Sequence, residues 1–94
     1  MLDVRFEWDD NKNIANIQKH GVSFYEAMTV FDDPDVLYKP DPDHSQMEER
    51  FIAVGFSKKI RILVVCHCYY ICDSVIRIIS ARKATVNETN QYRR

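Results

Sequence analysis

The sequence predicts an α+β fold in which helices cover one face of an antiparallel sheet, in the order β-α-α-β-β-β-β-α. Three observations carry that expectation. Residues 60–68 and 74–82 are rich in β-branched side chains and flank a short polar break at Cys72-Asp73, as two adjacent antiparallel strands would. Ser/Thr-x-x-Glu spacing occurs at Ser23 and Glu26 and again at Thr85 and Glu88, each marking a helix start. The 94 residues, 46% hydrophobic and 29% charged, suit one soluble domain spanning 1–94.

Taken in order, Val4, Phe6 and Trp8 alternate with Asp3, Arg5 and Glu7, the period-2 pattern of a half-buried edge strand over residues 3–8. Asp9 or Asp10 then caps a helix expected to bury Ile14 and Ile17. Lys19-His20-Gly21 closes it, with cations in the last turn and a glycine suited to the left-handed position. Ser23 opens a second helix whose Phe24, Ala27, Met28 and Phe31 recur at helical spacing, and Asp32-Asp33-Pro34 ends it. Residues 36–39 suit a short strand. Pro40-Asp41-Pro42-Asp43-His44 is expected to be a rigid surface loop, followed by one capped helical turn at Ser45-Gln46-Met47-Glu48. A strand over 50–56 turns at Ser57-Lys58-Lys59 into the central pair, and Thr85 opens a final helix fraying towards Arg93-Arg94.

No apolar run reaches membrane-spanning length, and the opening residues lack a signal peptide's basic start and apolar core. A cytoplasmic protein without a membrane partner is therefore expected. Cys66, Cys68 and Cys72, an odd number, make no disulfide framework. Charge is divided along the chain: residues 1–49 carry four Lys/Arg against twelve Asp/Glu, net −8, and residues 50–94 carry nine against two, net +7. Such a split suggests a cationic face for a polyanion, unless folding interleaves the halves and cancels it.

Candidate chemistry follows from residue type. Cys66, His67, Cys68 and Cys72 are zinc-capable, but strand alternation puts Cys66 and Cys68 on one face and His67 on the other. His20 at a helix end suits the helix dipole better than catalysis. His44, in a rigid polar loop close to carboxylates, is a candidate acid–base group. His67 shares strand parity with Arg61, so it lies either beside that guanidinium on an open face or in the core. Arg61, Arg77 and Arg82 enter strands where a guanidinium needs water, an acidic partner or a phosphate. The hairpin register decides whether Arg77, or Ser80 with Arg82, joins the face of His67. Glu49, next to Arg50, is a candidate base. Tyr69, Tyr70 and Tyr92 are sheet formers or stacking platforms. Glycine-rich phosphate loops, HExxH and nucleophile elbows are absent. Arginine, histidine and glutamate on an open sheet suit RNA transesterification, in which a base takes the 2′-OH proton and cations stabilise the phosphorane.

Five phrases in one order (FEWD, Lys19-His20-Gly21-Val22-Ser23-Phe24, VFDDP, DPDHSxxEER and IRIISARKAT) resemble the BrnT toxin family over about residues 6–88. The resemblance implies a RelE-like ribonuclease fold, cleavage of mRNA and a type II toxin–antitoxin pair. The partner it implies is a ribbon-helix-helix antitoxin that covers the active face, in a complex that can also hold a toxin homodimer. It places His44, Glu48, Glu49 and Arg50 in the family's HSxxEER segment, Arg61 at the start of the next strand, and Arg77, Ser80 and Arg82 in IRIISAR. Two departures stand out: Ile60 replaces a glycine common before Arg61, and the hairpin tip Tyr69-Tyr70-Ile71-Cys72 is apolar rather than charged. The expected catalytic set is Glu49, Arg50, Arg61, Arg77 and His44. Lys19, His20, His67 and Arg82 are expected to hold substrate, with no metal or other cofactor. The alternatives are a non-catalytic module binding nucleic acid or protein through the same sheet, and a zinc-site regulatory domain.

Overall fold

The alternating hydrophobic runs do fold as strands. The computed structural model describes residues 4–94, so Asp3 of the expected first strand lies outside the described residues. The elements are β1 (Arg5–Glu7), α1 (Asp10–His20), α2 (Phe24–Met28), β2 (Leu37–Pro40), β3 (Phe51–Phe56), β4 (Ile62–Tyr70), β5 (Val75–Lys83) and α3 (Val86–Tyr92), in the expected order. One five-stranded sheet has the order β1-β5-β4-β3-β2. It is mixed rather than wholly antiparallel, because β1 runs parallel to β5. Helices, not a tight turn, follow β1, so nothing local imposes an antiparallel sense on it.

The helix starts and stops are those of the sequence. The Asp9 side chain accepts the Lys12 N–H at 3.0 Å, and Gly21, at φ 68°, returns its N–H to the Ile17 carbonyl at 2.8 Å. The expected inner face of α1 is not the observed one: Ile14 and Ile17 are exposed, and Asn16 is buried instead. Its amide donates to the Val22 and Ala81 carbonyls at 2.8 Å each, and its oxygen accepts the Ala81 N–H at 3.1 Å. Hydrogen bonds to β5, rather than an apolar stripe, thus tie α1 down. After α2 the chain tightens into a 3-10 turn, Thr29–Asp32.

Phe24, Ala27 and Val30 pack against Ala53, Leu63, Val65, Ile78 and Ala81 to form the core between α2, the turn that follows it and one sheet face. Burying Phe24 fully contributes about 1.5–3 kcal/mol. The C-terminal α3 departs from the expected one-sided layer. Its Glu88 pairs with Arg82 and its Tyr92 ring meets Phe56 at 5.6 Å, both on the sheet face turned away from the core. Its start is a complete capping box between Thr85 and Glu88.

A β-bulge decides which side chains share that second face. Cys66 lies opposite Ser80 but His67 opposite Ile78, so Ile79 is an extra residue in β5. Without it Arg77 and Ser80, three apart, would point to opposite faces. With it Arg77, Ser80 and Arg82 lie opposite Cys68, Cys66 and Val64, all on one side. The predicted turn at Ser45-Gln46-Met47-Glu48 is replaced by a 3-10 turn at Pro42–His44, which proline's fixed φ favours. Ile60 takes φ 60°, the left-handed conformation in which glycine is at ease, which accounts for glycine being expected there.

Candidate active site

The face away from the core carries a cleft of about 190 Å³ lined by Asp41, His44, Arg50, Ile52, Val64, Cys66, Ile79, Ser80 and Arg82. Three segments build it. The bulged β5 supplies Ser80 and Arg82, the residue before β3 supplies Arg50, and the turn after β2 supplies Asp41 and His44.

The loop from Asp41 to Arg50 is held closed by its own hydrogen bonds. The Asp41 N–H donates to the Arg50 carbonyl at 2.9 Å, and the Ser45 hydroxyl donates to the Asp41 carbonyl at 2.7 Å while accepting the Arg50 N–H at 2.9 Å. Asp41 is only 8% exposed, so its place in a surface loop did not reveal its burial. Both its carboxylate oxygens lie against His44 Nδ1, at 3.0 and 3.1 Å, and the His44 ring is otherwise open to the cleft and solvent. Burial raises the Cys66 thiol to about 11, and the Asp41 carboxylate nearby pushes the same way, so it lines the cleft as a protonated S–H.

The two guanidiniums differ. Arg82 donates to both oxygens of Glu88 at 2.7 and 2.8 Å, and that pairing holds the Glu88 carboxyl down at about 2. Arg50 stands 3.7 Å from Glu48, and its buried Nε has no hydrogen-bond partner among the described residues. Arg77 lies further along the same face, bonded to Glu7 at 2.7 Å.

Other expected site residues lie elsewhere. Arg61 precedes β4 rather than sitting in it, and its Nε donates to Glu26 at 2.7 Å and its Nη2 to the Gly21 carbonyl at 2.9 Å. Glu26 is 5% exposed, and the Arg61 hydrogen bond holds its carboxyl below the usual range. Arg61 is thus a structural brace between the helices and the sheet, away from the cleft. His67 is fully buried on the core side, ringed by Phe31, Phe51 and Tyr38, with Nε2 against the Tyr69 hydroxyl at 3.1 Å. Burial lowers its pKa, so it is a neutral core residue and cannot touch a substrate. Lys19 and His20 end α1, which packs on the core side of β5, away from the cleft. Glu49 lines a separate hollow with Glu48, Phe51, Cys68, Tyr69, Tyr70 and Asp73. Of the nine expected residues, His44, Arg50 and Arg82 meet in the cleft.

The charge halves do interleave, since Glu7 with Arg77, Glu26 with Arg61 and Glu48 with Arg50 each join the acidic half to the basic one. At the cleft, two guanidiniums, each with a carboxylate beside it, line the same hollow as the Asp41–His44 pair.

The sequence model of the family described as the ribonuclease toxin, BrnT, of type II toxin–antitoxin systems matches residues 8–88. A crystal structure of the Brucella abortus ribonuclease toxin, BrnT, is similar in fold, with a TM-score of 0.62 and 24% identity over 87% of this chain and 97% of that one. No curated protein matches the chain's sequence.

Proposed function

Because the chain belongs to the BrnT family of ribonuclease toxins of type II toxin–antitoxin systems, we propose that it cleaves mRNA without a metal ion in the cleft of His44, Arg50 and Arg82. The observation that carries this reading is one imidazole, exposed to solvent and held by a buried carboxylate, in a cleft that two guanidiniums also line. His44 Nε2 takes the proton of a ribose 2′-OH. The 2′ oxygen forms a bond to the adjacent phosphorus, and the bond from phosphorus to the 5′ oxygen breaks with its electron pair going to that oxygen. A solvent proton then completes the leaving hydroxyl, leaving a 2′,3′-cyclic phosphate and a 5′-OH end. Arg50 and Arg82 meet the charge that grows on the non-bridging oxygens, where fixed cations act more strongly than water. Arg77 suits a neighbouring phosphate on the same face.

Family membership implies an antitoxin, and the partner proposed is a ribbon-helix-helix protein covering this face. The exposed hairpin tip at Tyr70 and Ile71 offers it, or a second toxin copy, an apolar contact. RNA incubated with the purified chain in excess EDTA is expected to be cut as fast as without it, giving cyclic-phosphate ends. Cleavage that vanishes with chelator and returns with added magnesium removes the metal-free mechanism. Intact RNA beside a folded chain favours a binding module instead.

A further inference from the structure

Asp41 has no evident reason to be buried as part of a surface loop. A carboxylate taken out of water needs strong donors. The donors that reach this one are His44 Nδ1, at 3.0 and 3.1 Å from its two oxygens, and the Cys66 thiol, whose Sγ lies 3.9 Å from Oδ2. A thiol is a weak donor, so the ring nitrogen carries the contact. With Nδ1 supplying the hydrogen, the neutral ring must keep its lone pair on Nε2, on a side chain that is 67% exposed. The backbone around Asp41 is fixed independently by Arg50 and Ser45, so the carboxylate holds the ring and not the reverse.

We infer that Asp41 is a positioning residue for RNA cleavage: it orients His44 and fixes the tautomer whose Nε2 accepts the 2′-OH proton. The inference rests on the ribonuclease reading of this cleft and adds to it a residue that acts only through another. In a neutral asparagine the side chain can present its own N–H to Nδ1, which drives the ring hydrogen to Nε2 and leaves no acceptor facing the ribose. Arg50 and Arg82 are untouched by that change, so phosphate binding should survive it.

The test combines kinetics with ring nitrogen NMR on the full chain. In Asp41→Asn, kcat is expected to fall by about 10²–10⁴-fold, as loss of the correct tautomer or of a base does, with KM changed by no more than a few-fold. In the wild type the His44 ring should show hydrogen on Nδ1 and none on Nε2, and in Asp41→Asn that pattern should reverse or mix. In a His44→Ala background, Asp41→Asn should cost almost nothing further in kcat, since the two act as one unit. An equal and independent loss in that background, or a wild-type ring protonated on Nε2, overturns the inference while RNA cleavage itself stands. A folded wild-type chain that cuts no RNA overturns the ribonuclease reading and this role together, which separates the two failures. Should Asp41→Asn melt early, the wild-type ring spectrum and an Asp41→Glu variant, expected to recover part of the lost kcat, still decide the matter.

Discussion

Replacing His44 with alanine is expected to slow RNA cleavage by about 10²–10⁴-fold, the usual contribution of a placed general base, with only a modest fall in melting temperature. The side chain is 67% exposed, so the fold loses little packing when the ring is cut away. Its contact with Asp41 does leave a buried carboxylate short of a donor, but water can enter where the ring stood. Glu49→Ala is the matched comparison. Glu49 belongs to the hollow beside Tyr69 and Tyr70 rather than to the cleft, and its removal should change the rate by less than threefold, on the order of the usual surface effect. Parallel rate measurements on the two variants, with circular dichroism to confirm folding, check the assignment. A large loss in Glu49→Ala with His44→Ala near wild type would move the base to the other hollow.

Arg61→Met is expected to have the opposite signature: a large loss of stability and little direct loss of catalysis. The substitution keeps most of the aliphatic volume but leaves Glu26, whose side chain is only 2% exposed, without its bonded cation and with only the weaker pull of Lys59. Breaking a buried pair from one side costs about 3–5 kcal/mol, and at about 4–8 °C per kcal/mol for a domain of this size the melting temperature should drop by roughly 12 °C or more. The Ser57 hydroxyl, 2.7 Å from Glu26, remains and softens the loss. Acid behaviour gives a second reading of the same contact. Because Arg61 holds the folded carboxyl below its ordinary value of 4.5, the pair's stabilisation is present above that value and is lost as pH falls through the lowered one. That loss on acidification should disappear in Arg61→Met. Calorimetry across pH checks both, and cleavage measured at 10 °C, where the variant is still folded, should stay within a few-fold of wild type.

Much of the architecture was legible from local chemistry. Asp9, Gly21, Ser23 and Thr85 each perform the capping role that residue type and spacing suggested. The central hairpin follows its β-branched runs, shifted by one or two residues. The site was less legible, for reasons that lie in long-range pairing. Strand parity put His67 and Arg61 on one side, as observed, but that side is the one the helices cover, with His67 in the core and Arg61 turned to Glu26 of α2. The bulge at Ile79 then brings Arg77, Ser80 and Arg82 together, which a regular alternation cannot do. No local signal marks a bulge at Ile78-Ile79, two β-branched residues that each suit a regular strand. Asn16 and Asp41 were missed for a common reason: polarity predicts exposure, and both are buried because distant backbone or an imidazole satisfies them. A signal for Asp41 does exist in the sequence, since Asp-x-x-His across a proline-started turn brings the two side chains to one side.

The measurement that bears most directly on the cleft is an NMR titration with a short RNA analogue whose 2′-hydroxyls are replaced by hydrogen, which can bind but cannot react. Shifts are expected at the His44 ring nitrogens and at the side-chain N–H signals of Arg50 and Arg82, with Arg61 and His67 unmoved. Shifts at Arg61, Lys19 and His20, with the His44, Arg50 and Arg82 signals unchanged, would put the nucleic acid on the helical side and contradict the cleft assignment.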